Sequence, residues 1–215
     1  MKVIAGILFM ILGGMAFGQP TPEQVLAQAT RYHDPHHIWP TLQATFHFTA
    51  MRPQVEDRHS TLQLDNARTY LKVDLNGTEA YEVTVNTVNI LAGDKDAARG
   101  LMLRNYFLYL WGLPMKLHDP GTRFDPVVTA ATIDGVPCDV VRVVYEKDTW
   151  YFSFAQKSGR MLEYKFYKDE AVGEGEVITL EGEIEAYGLR IPQKRNWYTL
   201  PANKYLGSDI LDRIE

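Results

Sequence analysis

Residues 101–117 read LMLRNYFLYLWGLPMKL. From Leu101 to Leu113 the run is apolar almost all round a helix, with Arg104 and Asn105 the main polar positions. Asp94 or Asp96 can cap such a helix, and Gly112 with Pro114 stops it. A helix without a polar face needs cover on most of its sides. This one is too short to cross a bilayer, which takes about 20 apolar residues. What surrounds it therefore decides the fold.

Both flanks read as strands. Before it, Leu42, Ala44, Phe46 and Phe48 alternate with polar residues, as do Leu62 and Leu64, and then Leu71, Val73 and Leu75. Asn76-Gly77 turns the chain into Tyr81, Val83 and Val85, and a short strand over 88–91 follows. After the helix, 127–133 meets the turn Asp134-Gly135, and 136–145, 150–154, 161–167, 177–187 and 191–200 follow. The stretch Gly173-Glu174-Gly175-Glu176 reads as a loop. At the other end, Thr21-Pro22-Glu23-Gln24 is a capping box with Pro at the first helical position. Val25, Leu26, Ala29 and Tyr32 then share one helix face, and Pro35 ends the helix near His33.

Roughly ten short antiparallel strands with one apolar face need two stacked sheets or one strongly curved sheet. Two greasy helices favour the second. The expectation is a mainly β (α+β) chain: a curved, unclosed antiparallel barrel with an N-terminal helix and an apolar helix covering its concave side. A partly open barrel leaves a groove lined by inward apolar side chains, and such a groove suits an apolar molecule.

The first 18 residues read as a secretory signal peptide: Lys2, then an apolar run to Met15, then Ala16 and Gly18 at the −3 and −1 positions of a cleavage site. Gln19, not Cys, follows, so no lipid anchor is expected, and 19–215 forms one domain in the periplasm or outside the cell. Without Lys2, 21 basic residues face 27 acidic ones, a charge of −6. That balance, with no Lys/Arg stripe, argues against a nucleic-acid partner. Cys138 is the only cysteine, so no intramolecular disulfide forms. It alternates with Val136 and Val140 and reads as a small buried hydrophobe.

The candidate ligand-binding set is Trp39, Tyr106, Phe107, Tyr109, Leu110, Trp111, Leu113 and Met115, as cavity wall or lid. The alternative is that the helix plugs the barrel as ordinary core. Arg99 and Arg104 are candidates for an anionic head group or else solvent-facing residues of a buried helix. His33, Asp34, His36 and His37 are the most chemical-looking cluster. They read as ligands for metal-assisted hydrolysis or as an ordinary helix C-terminus and turn. Their spacing fits no standard metal motif, and no metal or other cofactor is assigned. Glu181, Glu183 and Glu185 alternate and read as a solvated strand face. No nucleophile elbow or phosphate loop is present, which leaves binding ahead of catalysis.

Four stretches carry a resemblance: Tyr32-His33-Asp34-Pro35 with Trp39, the run Tyr106–Leu117, Asp148-Thr149-Trp150-Tyr151-Phe152, and Tyr205-Leu206-Gly207-Ser208-Asp209-Ile210-Leu211. Together they resemble a secreted, functionally uncharacterised family common in Bacteroidetes, over essentially the whole chain after the leader. The order of elements is also similar to the LolA/LolB/LppX group of periplasmic lipoprotein and lipid carriers. That likeness implies a LolA-like half-barrel with helices over a hydrophobic cavity. It implies a lipid or acylated protein as partner, with transient contact to a membrane surface. A filled barrel that only docks a partner is the competing non-catalytic reading.

Overall fold

A computed structural model describes residues 18–215; the proposed leader falls almost wholly outside the described residues. Helix α1 (Pro22–His33) begins at the Thr21 capping box, with both reciprocal hydrogen bonds made. Five strands follow: β1 (Gln43–Arg52), β2 (Val55–Asp65), β3 (Tyr70–Leu75), β4 (Glu79–Thr84) and β5 (Thr87–Ala92). Helix α2 (Ala97–Trp111) is capped by Asp96 and leads into a 3-10 turn, Met115–His118. Seven more strands complete the chain: β6 (Thr129–Ile133), β7 (Val136–Val144), β8 (Thr149–Ala155), β9 (Met161–Asp169), β10 (Glu174–Ala186), β11 (Leu189–Leu200) and β12 (Tyr205–Ile214).

The twelve strands of the described residues form one antiparallel sheet in the order β5-β4-β3-β2-β1-β12-β11-β10-β9-β8-β7-β6. The chain starts mid-sheet at β1, runs outward to the edge at β5, and crosses by α2 to the far edge at β6. It then meanders back until β12 pairs with β1. Neither β5 nor β6 closes on the other, so the barrel is open and the apolar helix is the strap between its two edges. This is the curved, unclosed sheet with two helices that the residue pattern predicts.

Two details differ from the pattern. The strand β12 escapes a reading by alternation, because Gly207-Ser208-Asp209 interrupts it. The Gly-Glu-Gly-Glu stretch is not a loop. Gly173, at φ 78°, makes the turn, and Glu174 already pairs with Asp169 in β10. A Cβ at Gly175 would lie 1.8 Å from the Phe166 carbonyl oxygen, so only glycine permits that approach.

The inward faces build two clusters, one on each side of α2. Leu103, Phe107 and Trp111 pack with Phe46, Phe48, Leu62, Leu71, Val73 and Tyr81 from β1–β4. Leu110, Leu113 and Leu117 pack with Val25, Leu26 and Ala29 of α1 and with Phe152, Phe154, Met161 and Tyr164 from β8 and β9. The strap thus serves both halves with different faces. Cys138 is fully buried, as its alternation predicts.

His33 ties α1 to the sheet. Its Nδ1 donates to the Arg190 carbonyl at 2.7 Å, and its Nε2 accepts the Met161 amide at 3.0 Å. Burial pushes its pKa down to about 4. Below the unfolded-state value of about 6.5, the unfolded chain takes a proton that the native ring refuses. The neutral ring's contribution is therefore intact above about pH 6.5 and is lost progressively down to about pH 4, by about 3 kcal/mol in all. Thermal unfolding across that range is expected to show this slope, and His33→Asn to flatten it. An unchanged slope in the variant would refute the assignment.

Candidate functional site

The strap leaves one of its own faces open. Met102 is 44% exposed and Tyr106 37%, although both are apolar-bodied residues on α2. Leu108 and Tyr109 on the same helix are half-buried. The expectation of cover on most sides fails here, and what faces Tyr106, Leu108 and Tyr109 is a groove, with Met102 outside it.

The groove has two lobes. One, about 730 Å³, lies between α1 and the strap and is lined by Thr30, Asp34, His37, Trp39, Met115 and His118. The other, about 680 Å³, is lined by Tyr106, Tyr109, Leu110, Trp150, Phe166 and Trp197. Thr69, Leu108, Lys116 and Asp119 line both, so the lobes adjoin along the outer face of the strap. Each falls in the range of small-molecule sites, about 300–1,000 Å³.

Aromatic side chains shape the second lobe. Trp150 stacks on Phe166 at 4.8 Å between centroids and meets Tyr109 edge-on at 5.7 Å. The polar tips of these rings are satisfied within the protein, the indole by a residue of the lobe wall. The Trp150 indole donates to Asp148 at 2.7 Å, and the Tyr109 and Tyr145 hydroxyls bond each other at 2.8 Å. Burial, and then its neighbour Tyr145, raises the Tyr109 phenol well above its ordinary value, so it stays neutral. Charges sit around the lobes: Arg31, Asp34, Arg104, Lys116, Asp119, Asp148 and Glu176, with Lys116 and Asp119 ion-paired. Burial pushes the Glu176 carboxyl up from the usual range.

The residues singled out from sequence divide into three groups. Trp39 and Met115 line the first lobe, and Tyr106, Tyr109 and Leu110 the second. Phe107, Trp111 and Leu113 turn inward and are core, not groove wall. Of the two arginines, Arg104 reaches the second lobe and bonds the Val85 carbonyl, while Arg99 is held by Glu79 at 2.7 Å at the start of α2, outside both lobes. Leu108, Trp150, Phe166 and Trp197 also line the groove. Their alternation marks the strand residues as inward, but only the path of α2 distinguishes groove wall from core.

The His/Asp cluster is dispersed. His33 is fully buried in the bridge described above, and Asp34 accepts the Ile38 and Trp39 amides at 2.7 and 3.0 Å. His36 and His37 point to the surface. Among the described residues, no group of three or more His, Cys, Asp or Glu side chains converges as a metal site. Glu183 departs from the solvated-face reading: it accepts the Tyr32 hydroxyl at 2.8 Å and lies 3.5 Å from Arg160.

An open antiparallel half-barrel crossed on its concave side by two helices is the LolA-like fold. A LolA superfamily protein from Nitrosomonas europaea superposes with a TM-score of 0.56 at 11% identity, covering 92% of this chain and 94% of that one. An outer membrane lipoprotein-sorting protein domain from Vibrio parahaemolyticus gives 0.56 at 10% identity, over 90% and 92%. The chain belongs to the family of unknown function DUF6503, which matches residues 91–212. That match spans the strap and all of the second lobe's lining except Thr69. No curated protein matches the chain in sequence.

Proposed function

We propose that this chain is an envelope carrier, exported through its 1–18 leader, that holds an apolar chain in the groove along α2. The cargo is a lipid or the acyl chain of a lipoprotein. The observation that carries the reading is the uncovered apolar face of the strap, opposed by an aromatic wall across two adjoining lobes. An ordinary core helix would bury that face. The LolA-like fold of the Nitrosomonas and Vibrio proteins supports the same reading. No helix among the described residues is long and apolar enough to cross a membrane.

The driving force is removal of apolar surface from water, about 0.8 kcal/mol per methylene. About ten buried methylenes would supply about 8 kcal/mol gross, a micromolar scale before the cost of immobilising the chain. Titration of the purified chain with a fluorescent fatty acid is expected to saturate at one site and to reverse on addition of unlabelled lipid. Absence of saturable binding across chain lengths would overturn the proposal.

A further inference from the structure

The two lobes differ in what their polar groups leave free. In the second, the cations are taken. Arg104 donates to the Val85 carbonyl and, through Nε and one Nη, to the Asn105 amide oxygen at 3.1 and 2.9 Å. Lys116 pairs with Asp119. Three carboxyls line that lobe, Asp119, Asp148 and Glu176, against the two cations Arg104 and Lys116. An anion set against the aromatic wall would meet this acidic excess.

The first lobe has the opposite bias. Its acids are engaged: Asp34 is buried with a backbone amide on each oxygen, and Asp119 belongs to the Lys116 pair. Arg31 lines the lobe from the last turn of α1, exposed, and its guanidinium has no partner among the described residues. On the facing 3-10 turn, His118 Nε2 lies 2.8 Å from the hydroxyl of buried Thr30. No other acceptor takes that hydroxyl among the described residues, so Thr30 donates to Nε2 and the neutral imidazole carries its proton on Nδ1. His118 lines the same lobe, which leaves its Nδ1–H as a fixed donor there. Lys116, shared by both lobes, has N–H bonds to spare beyond the one given to Asp119. One cavity thus gathers unused donors and an unpaired cation, while the adjoining cavity offers aromatic surface.

We propose that the cargo lies along α2 in one direction, with an anionic, acceptor-rich head group in the first lobe held by Arg31, His118 Nδ1 and Lys116. Its apolar tail crosses Leu108, which lines both lobes, into the aromatic second lobe. This rests on the carrier reading and narrows it to an amphiphile with a negative head. A carboxylate and a phosphate share that chemistry. A reversed ligand would set its charge beside Asp148 and Glu176 and its tail among Arg31, Asp34 and His118, and so lose at both ends.

The test uses the full chain and a neutral fluorescent probe, displaced by palmitic acid, hexadecyl phosphate or methyl palmitate. Wild type is expected to bind both anions more tightly than the ester by about fivefold or more, the scale of one ion pair at a partly open site. The order of acid and phosphate then identifies the source of the charge. Arg31→Gln should lower the anion-to-ester ratio severalfold, and Arg31→Glu should lower it further. Arg31 is exposed and unpartnered, so both variants stay folded. Arg104→Gln should keep the wild-type ratio, whatever it does to affinity for all three ligands. An ester that binds as tightly as both anions, a ratio that Arg31→Glu leaves unchanged, or one that Arg104→Gln abolishes instead would overturn the inference and leave the carrier reading standing. Absence of probe binding, with no binding of any of the three ligands, would overturn both.

Discussion

Leu108→Glu is expected to weaken binding of an apolar chain by about a hundredfold while the protein stays folded. Leu108 lines both lobes and is half-buried, packed against the edge of the first cluster. A bound chain would complete its burial, which contributes about 1 kcal/mol, half or less of the full burial of a leucine. A carboxylate there loses that contact and is itself desolvated by the ligand, at a further cost of about 1–3 kcal/mol. About 3 kcal/mol corresponds to a hundredfold in Kd.

The control is Met102→Glu. Met102 is exposed on the same helix but lines neither lobe. It should bind as wild type does. Fluorescent fatty acid titration of the two variants separates a groove from a merely greasy helix. If both lose affinity equally, the exposed apolar surface binds without a site. If Leu108→Glu binds as wild type does, the cargo lies elsewhere.

Much of the fold is legible in the chain because its signals are local. Leu71, Val73 and Leu75 alternate and are all buried, and Asn76-Gly77 and Asp134-Gly135 take positive φ at both residues as their turns require. The Thr21 box and the Asp96 cap sit where the helices begin. The strand that joins the two halves is illegible for an equally physical reason. In β12, Gly207 lets the Met51 backbone approach, and Asp209 serves Arg52 and Trp197, so an apolar alternation is replaced by groups whose partners are distant in sequence.

The site is less legible than the fold. An all-round apolar helix announces that it is buried but not which face is left open. Phe107 and Tyr106 are neighbours of similar character, yet one is core and the other groove wall. Arg195 lies within the strand read over 191–200, in its polar stretch Gln193-Lys194-Arg195-Asn196. Period-2 alternation with Ile191 and Trp197 places it inward, but a charge at an inward position carries no signal until its surroundings are known.

Trp111→Ala is expected to lower stability by about 4 kcal/mol, the largest effect of any single side chain on the strap. The indole is 4% exposed, packs at 4.3 Å from the Phe48 ring centroid and lies under the Arg195 guanidinium. Truncating a buried tryptophan costs about 3–5 kcal/mol through lost transfer energy and the residual cavity. For a chain of this length that lowers Tm by about 8–16 °C. Part of the loss belongs to the cation over the ring, about 1–2 kcal/mol when desolvated. A double-mutant cycle with Arg195→Met isolates it: with the guanidinium gone, Trp111→Ala should cost less by that amount. The coupling is measured from denaturant midpoints of the four proteins. A cycle that closes to zero would mean that the ring does nothing to offset the buried charge. Arg195 would then rest on the Pro192 and Leu110 carbonyls and on Tyr164.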